Sequence, residues 1–393
     1  MYLKNIKKLG ISATLKINLI SRKLETEGKQ IYKLGFGQSP FPVPLFLQES
    51  LKQHVDKKSY LPVTGLVELR KSIGKFYSYN YKLDIDEKNI FIGPGTKELL
   101  FMLQMITINQ TNLLTPSWVS YANQCEVLGM KYTYLNTLKD LEQNSTLFLN
   151  SPNNPTGQII NFKSLTSQLN KSKPIVISDE IYSFLNYKNE FPDTLLKHYD
   201  NTIVSNGISK WCGAGGWRLG YIIIPNNLLY LKKYLSTLAS EISSSVNAPV
   251  QYACIDLFDN FHKMENYLFK CNFCLGELSN IIYNIFLQSK IKCIKPEGAF
   301  YFFLDFNEYA SSLYNKGIFT SNDLCNKLLD DTGVAILSGS FFGIDEYNLT
   351  ARLSFVDFNG NEIINNNNLS HDDINTICKK TIEGCLKLVE YLD

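Results

Sequence analysis

No apolar run in the 393-residue sequence approaches the ~20 residues that a bilayer-spanning helix needs; the longest, 99–108, is interrupted by Gln104. A membrane span is therefore not expected. Net charge is nearly absent as well, with 39 Lys+Arg against 37 Asp+Glu and a formal balance of +2. That balance excludes a nucleic-acid binder working through bulk charge and leaves only a local basic patch open. Histidine is scarce, and the four residues at 54, 198, 262 and 371 show no ligand or triad spacing, so no metal is expected. Cysteine is present nine times, but scattered and odd in number, which reads as reduced thiols of a cytosolic protein rather than a disulfide framework. Cys271 and Cys274 have redox or metal spacing with no second pair nearby, so they read as ordinary core or surface thiols. Lysines 4, 7 and 8 precede a short apolar stretch that ends at Lys16, too brief for a secretory signal, and a cytoplasmic location is expected.

What is present is core material: 45% of residues are apolar and 13% aromatic, too much for a disordered chain. At roughly 150 residues per domain the length suggests two or three units, or one large domain with a smaller satellite. Short apolar runs at 89–92, 146–149, 174–177, 202–204 and 220–224 have strand length and composition, and helix-like stretches at 97–106 and 162–170 lie between them. This alternation implies an α/β fold with a mostly parallel sheet and helices on both faces. The link from 204 to 220 is short and glycine-rich, with no room for a crossover helix, so the strand at 220–224 should run antiparallel to its neighbours. Ligands of open α/β sheets bind beyond the carboxyl ends of the strands. Residues 93–96, 150–157, 178–182 and 205–210 each follow a strand and should converge on that rim, carrying an amide, a carboxylate, a phenol and an amine. The expected division is an N-terminal arm at 1–48 contributing to a small domain, a large domain at 49–285, and the rest of the small domain at 286–393. The Asn run 365–368 reads as a surface loop.

Lys210 sits in a glycine-rich turn at the mouth of the sheet, where desolvation would lower its pKa and make the amine a nucleophile toward an aldehyde; a solvated surface charge is the ordinary alternative. Asp179 ends a strand on the same rim, where its carboxylate could hold a pyridine nitrogen protonated, or could simply cap a following helix. Ser-Pro-Asn-Asn-Pro-Thr-Gly at 151–157, Asp-Glu-Ile-Tyr at 179–182, Ser-Lys at 209–210 with Gly-Trp-Arg-Leu-Gly-Tyr at 216–221, and Ala-Arg-Leu-Ser-Phe at 351–355 complete the pattern. In that order and spacing these motifs resemble the class I/II aminotransferases, fold-type I enzymes dependent on pyridoxal 5′-phosphate, over nearly the whole chain from about Lys33 onward.

The resemblance implies a seven-stranded sheet and a role for each matching residue. Lys210 resembles the Schiff-base lysine and proton shuttle, Asp179 the partner of the pyridine nitrogen, and Asn154 and Tyr182 the two donors to the ring's phenolate oxygen. Trp118 resembles the aromatic stacked on the ring, although composition alone would place it in the core. Gly95, Thr96 and Lys97 open a helix suited to a phosphate, joined by Arg218. Where some relatives carry a serine three residues before the lysine this chain has Gly207, leaving Ser209, Ser205 or no hydroxyl to make that contact. Arg352 resembles the clamp for the substrate α-carboxylate, with Gly37 approaching the same group and Trp118 and Asn154 beside it. Tyr60 is similar to the tyrosine that reaches the phosphate of a neighbouring subunit, which implies a homodimer with shared sites. The implied activity is transfer of an amino group from an L-amino acid to a 2-oxo acid such as 2-oxoglutarate. The alternatives are β-elimination or ring-closing elimination on the same fold, and a catalytically silent regulatory homologue. No second arginine stands out for a distal carboxylate, and the segment 36–41, with Gln38, is expected to border the side-chain pocket.

Overall fold

A computed structural model describes residues 10–107 and 110–393. Lysines 4, 7 and 8, and Ile108 at the end of the longest apolar run, lie outside the described residues. Among the described residues no helix is long and apolar enough to cross a membrane.

The chain builds a seven-stranded sheet in the order Ile90–Gly93, Gly220–Ile223, Thr202–Gly207, Ile175–Asp179, Thr146–Asn150, Thr111–Leu114, Tyr132–Leu135. Gly220–Ile223 pairs antiparallel with both of its neighbours, as the short connection from the preceding strand requires; the remaining pairs are parallel. Two strands escape the apolar-run reading for physical reasons. Thr111–Leu114 contributes only two apolar residues to its pairing, and Tyr132–Leu135 is an edge strand that remains half-buried. Helices at Thr96–Ile106 and Phe162–Ser172 match the stretches expected from sequence, and the second is capped by the Asn161 side chain, which accepts from the Ser164 N–H.

A second, four-stranded antiparallel sheet has the order Leu337–Ser338, Thr350–Ser354, Tyr301–Asp305, Lys292–Cys293. The N-terminal segment joins it from outside: Tyr32–Lys33 pairs in parallel with Val334–Ala335, and the Ser354 N–H donates to the Leu34 carbonyl at 2.7 Å. The two sheets meet at the 151–157 loop. Gly157 has φ +70°, and a Cβ there would lie 2.4 Å from the Pro296 ring and 2.8 Å from the Tyr301 carbonyl, so only glycine lets the loop approach. The N–H groups of Glu297 and Gly298 both donate to its carbonyl. This contact brings the strands carrying Tyr301 and Arg352 over the carboxyl rim of the large sheet.

One continuous apolar core underlies both sheets, running from Trp211 and Tyr182 to Phe300, Phe302 and Leu353. The 23-residue helix Glu265–Leu287 lays Leu278, Ile282 and Phe286 against it, and buries Cys271 and Cys274 as core thiols. Phe286 is fully buried and meets Phe302 edge-on at 5.7 Å. Phe286→Ala is therefore expected to lower the free energy of unfolding by about 3–5 kcal/mol, read as a shifted denaturant midpoint. A loss below about 1 kcal/mol would mean that this helix is not part of the cooperative core.

Candidate active site

The carboxyl rim gathers Gly37, Thr96, Lys97, Trp118, Asn154, Asp179, Tyr182, Ser209, Lys210, Arg218 and Arg352 around one cavity of about 590 Å³. Gly95 stands immediately behind it, whereas Tyr60 is 91% exposed and takes no part in the cavity of its own chain. Four cationic side chains, Lys97, Lys210, Arg218 and Arg352, line this space against a single carboxylate, Asp179.

Asp179 is the last residue of its strand and no helix begins there, so it is not an N-cap. Its Oδ2 accepts from the Tyr121 hydroxyl at 2.8 Å, while Oδ1 is buried with no hydrogen-bond partner among the described residues. Burial pushes the carboxyl up to about 6, partly opposed by the Tyr121 hydrogen bond, so the group is ionised at neutral pH. Lys210 follows the adjacent strand Thr202–Gly207 and donates to the Gly37 carbonyl at 2.7 Å. Burial lowers its pKa to about 8, assisted by the Arg352 charge and opposed by Asp179. It is thus an enclosed amine rather than a solvated surface charge.

The other end of the cavity is an anion cradle. The helix Thr96–Ile106 starts after Gly95, whose φ of +89° turns the chain; a Cβ on Gly95 would lie 2.1 Å from Arg218 Nη2. Gly220 is equally constrained, because its Cβ would lie 2.6 Å from the Thr96 nitrogen. Arg218 donates to the carbonyls of Gly215 and Pro94, which holds the guanidinium against the helix start, where free N–H groups favour an anion. Lys97 Nζ lies 5.2 Å from the Trp118 ring centre, and burial, then Arg218, lowers its pKa. Ser209 lines the cavity, whereas the Ser205 hydroxyl is buried without a partner among the described residues and lies outside the lining; a Cβ on Gly207 would lie 2.8 Å from the Leu219 carbonyl.

Arg352 is 1% exposed and has no carboxylate partner among the described residues. Nη1 donates to Asn154 Oδ1 at 3.1 Å and Nη2 to the Gly35 carbonyl at 2.6 Å, Nε has no partner, and Tyr301 stacks at 4.7 Å. A buried guanidinium costs several kcal/mol to dehydrate unless an anion compensates it, so this geometry is built to receive one.

Three contributors were not identified from the sequence. Tyr301 bonds the Tyr182 hydroxyl at 2.7 Å, but lies in the apolar run 299–304 and reads as core. Tyr121 anchors Asp179 from a helix whose pattern gives no hint of it. Asn150 donates to the Asp179 carbonyl and accepts from the Asn154 N–H, so it fixes both residues; its place at a strand end beside Asn153 and Asn154 was the available signal.

An open α/β sheet whose rim holds an enclosed lysine, a buried carboxylate and an arginine awaiting an anion defines an enzyme of the fold-type I aminotransferase class. The profile of the family "Aminotransferase class I and II" matches residues 29–362, and the chain belongs to that family. It is an amino-acid aminotransferase acting with 2-oxo acids. Among its relatives, an asparagine–oxo-acid transaminase of Streptococcus mutans is 30% identical, the match covering 88% of this chain and 92% of that protein. An aspartate aminotransferase of Sulfolobus acidocaldarius is also 30% identical, over 90% and 94% of the two chains. The structure of the aspartate aminotransferase of Thermus thermophilus with maleate superposes with a TM-score of 0.83 at 21% identity, covering 99% of both chains, which bears on the fold alone.

The lowered pKa of Lys210 has a direct consequence. Below about pH 8 the amine is protonated and inert, and above it the free base reacts. Labelling of residue 210 by an amine-selective reagent, followed by peptide mass spectrometry on ligand-free protein, is expected to be half-maximal near pH 8. Arg352→Met should move that midpoint upward, since the arginine charge is one of the causes of the depression. A midpoint above pH 10 in the parent protein would show that the amine is solvated.

Proposed function

We propose that this cavity holds pyridoxal 5′-phosphate, the cofactor on which the family depends, and that the chain uses it for transamination in two half-reactions. The observation that carries the reading is that Asp179, whose buried Oδ1 has no partner among the described residues, lines the same cavity as Lys210. A buried carboxylate oxygen without a donor is a costly feature, and a protonated ring nitrogen would satisfy it. The cradle formed by the Thr96 helix start, Lys97, Arg218 and Ser209 suits the phosphate, and Trp118 offers an aromatic face for the ring. Asn154 points its oxygen to Arg352, which leaves its amide hydrogens to donate to the phenolate oxygen beside Tyr182. Burial raises the Tyr182 pKa and keeps its hydroxyl a donor.

When bound, pyridoxal phosphate supplies an electron sink for the pair left behind as the substrate Cα–H bond breaks. Asp179, ionised at neutral pH and held by Tyr121, keeps that sink charged. Arg352 takes the substrate α-carboxylate with Gly37 alongside, and so fixes the orientation of Cα. Lys210, with a pKa near the working pH, would accept the Cα proton and carry it away from that carbon, which leaves the half-reaction free to go forward.

The exposure of Tyr60, an aromatic side chain standing 91% in solvent, supports a homodimer in which Tyr60 of the partner subunit completes the phosphate site. The division into a large domain, 49–285, and a small one from 1–48 and 286–393 is supported by the two sheets and by the pairing of Tyr32–Lys33 with Val334–Ala335. A cytoplasmic location is supported by nine free cysteines.

Borohydride reduction of the purified holoenzyme is the direct test. It should fix one cofactor per chain on the peptide containing Lys210, and preincubation with a substrate amino acid should abolish the fixation. Fixation at another lysine would refute the assignment.

A further inference from the structure

Tyr182 of the large sheet's rim and Tyr301 of the second sheet both line the cavity, and their buried hydroxyls bond each other at 2.7 Å. Neither hydroxyl has another hydrogen-bond partner among the described residues. A phenol carries one proton, so the bonded pair holds two, and one of them lies between the oxygens. Either Tyr301 donates and the Tyr182 proton stays free, or Tyr182 donates and the free proton stays on Tyr301. In the second arrangement Tyr182 has nothing left to give to a ring oxygen.

Two observations favour the first arrangement. The Arg352 guanidinium lies 4.7 Å from the centre of the Tyr301 ring. A cation there stabilises negative charge on the phenol oxygen and makes its hydroxyl the stronger donor; burial raises the pKa of both phenols, Tyr182 well above its ordinary value, while the Arg352 charge offsets part of the rise in Tyr301. Gly37 closes one side of the Tyr301 hydroxyl, since a Cβ on that glycine would lie 2.1 Å from Oη. The other charged groups beside the pair are Asp179 and Lys210, whose Nζ stands 5.6 Å from the centre of the Tyr182 ring.

We infer that Tyr301 is a positioning residue for the reaction, donating to the Tyr182 hydroxyl and so keeping the Tyr182 proton available to the cofactor's phenolate oxygen. The inference rests on the cofactor reading above and adds a residue to it. A hydroxyl that accepts a hydrogen bond becomes a better donor, by roughly 10–30% per bond in a chain. A better donor to the phenolate oxygen favours its charged form, and so lowers the pH at which the cofactor joined to Lys210 loses its proton. Arg352, Tyr301 and Tyr182 thus form one line from the carboxylate clamp to the ring oxygen.

The test is a pH titration of the cofactor's visible absorbance in the holoenzyme, in the parent, Tyr301→Phe, Tyr182→Phe and the double variant. Phenylalanine keeps the ring over Arg352 and removes one oxygen. Tyr301→Phe is expected to raise the spectral midpoint by about 0.3–1 pH unit, and Tyr182→Phe to raise it further. In the Tyr182→Phe background the second substitution should move the midpoint by less than about 0.2 unit, because the path to the cofactor is already cut. A midpoint that falls in Tyr301→Phe would show that Tyr182 donates to Tyr301 and that the two oxygens compete, which overturns the inference. A lowered melting temperature with an unmoved midpoint would show a purely structural hydroxyl and overturn it equally. If Tyr182→Phe itself leaves the midpoint in place, the assignment of Tyr182 as a donor to the cofactor fails and this inference with it; if the protein takes up no cofactor, the cofactor reading as a whole fails.

Discussion

The active site depends on an electrostatic imbalance: four cations line one cavity against a single carboxylate, and one of them, Arg352, is fully buried. Among the described residues no carboxylate pairs with Arg352, and desolvation lowers the pKa of Lys210 and Lys97 alike. Such an arrangement is costly to the folded protein by itself, because a dehydrated cation without a partner loses more solvation than neutral hydrogen bonds restore. It becomes favourable when anions arrive. The imbalance therefore favours anionic ligands, as the phosphate and carboxylate of the proposed cofactor and substrate would be.

The fold supplies the rigidity that keeps these charges apart. Lys210 and Asp179 sit at the ends of neighbouring parallel strands, and Arg352 and Tyr301 come from the second sheet, fixed by their antiparallel register. Glycine at 95, 157 and 220 lets backbone and guanidinium approach where any Cβ would collide. Asn150 ties the Asp179 strand to the Asn154 loop, so both respond to one hydrogen-bonded unit. The site's precision is thus a property of strand ends and backbone contacts more than of loops.

Much of this was legible in the sequence because chemistry and punctuation coincide there. Residues 146–149 and 174–177 read as strands, each with a polar cluster at its carboxyl end, and the short 204–220 link determined the antiparallel strand by length alone. Lys210, Asp179, Asn154 and Arg352 stood in motifs, and the structure gathers all four around one cavity. What escaped was information that exists only across the chain. Tyr121 lies 58 residues from Asp179 and Tyr301 lies 119 from Tyr182, and nothing local marks either as a polar partner rather than a core aromatic. The strand Tyr132–Leu135 escaped for a similar reason, since pairing and not burial defines an edge strand.

The central claim, that Arg352 is a buried cation kept for a ligand and not for stability, is tested most directly by Arg352→Met. Methionine fills much of the same volume without charge. Chemical denaturation of the ligand-free variant should give an unfolding free energy equal to or above that of the parent, while kcat/KM for amino-acid substrates falls by about a hundredfold or more. A variant that loses about 3–5 kcal/mol of stability would contradict the account, because it would show that the guanidinium is compensated within the chain and serves the fold.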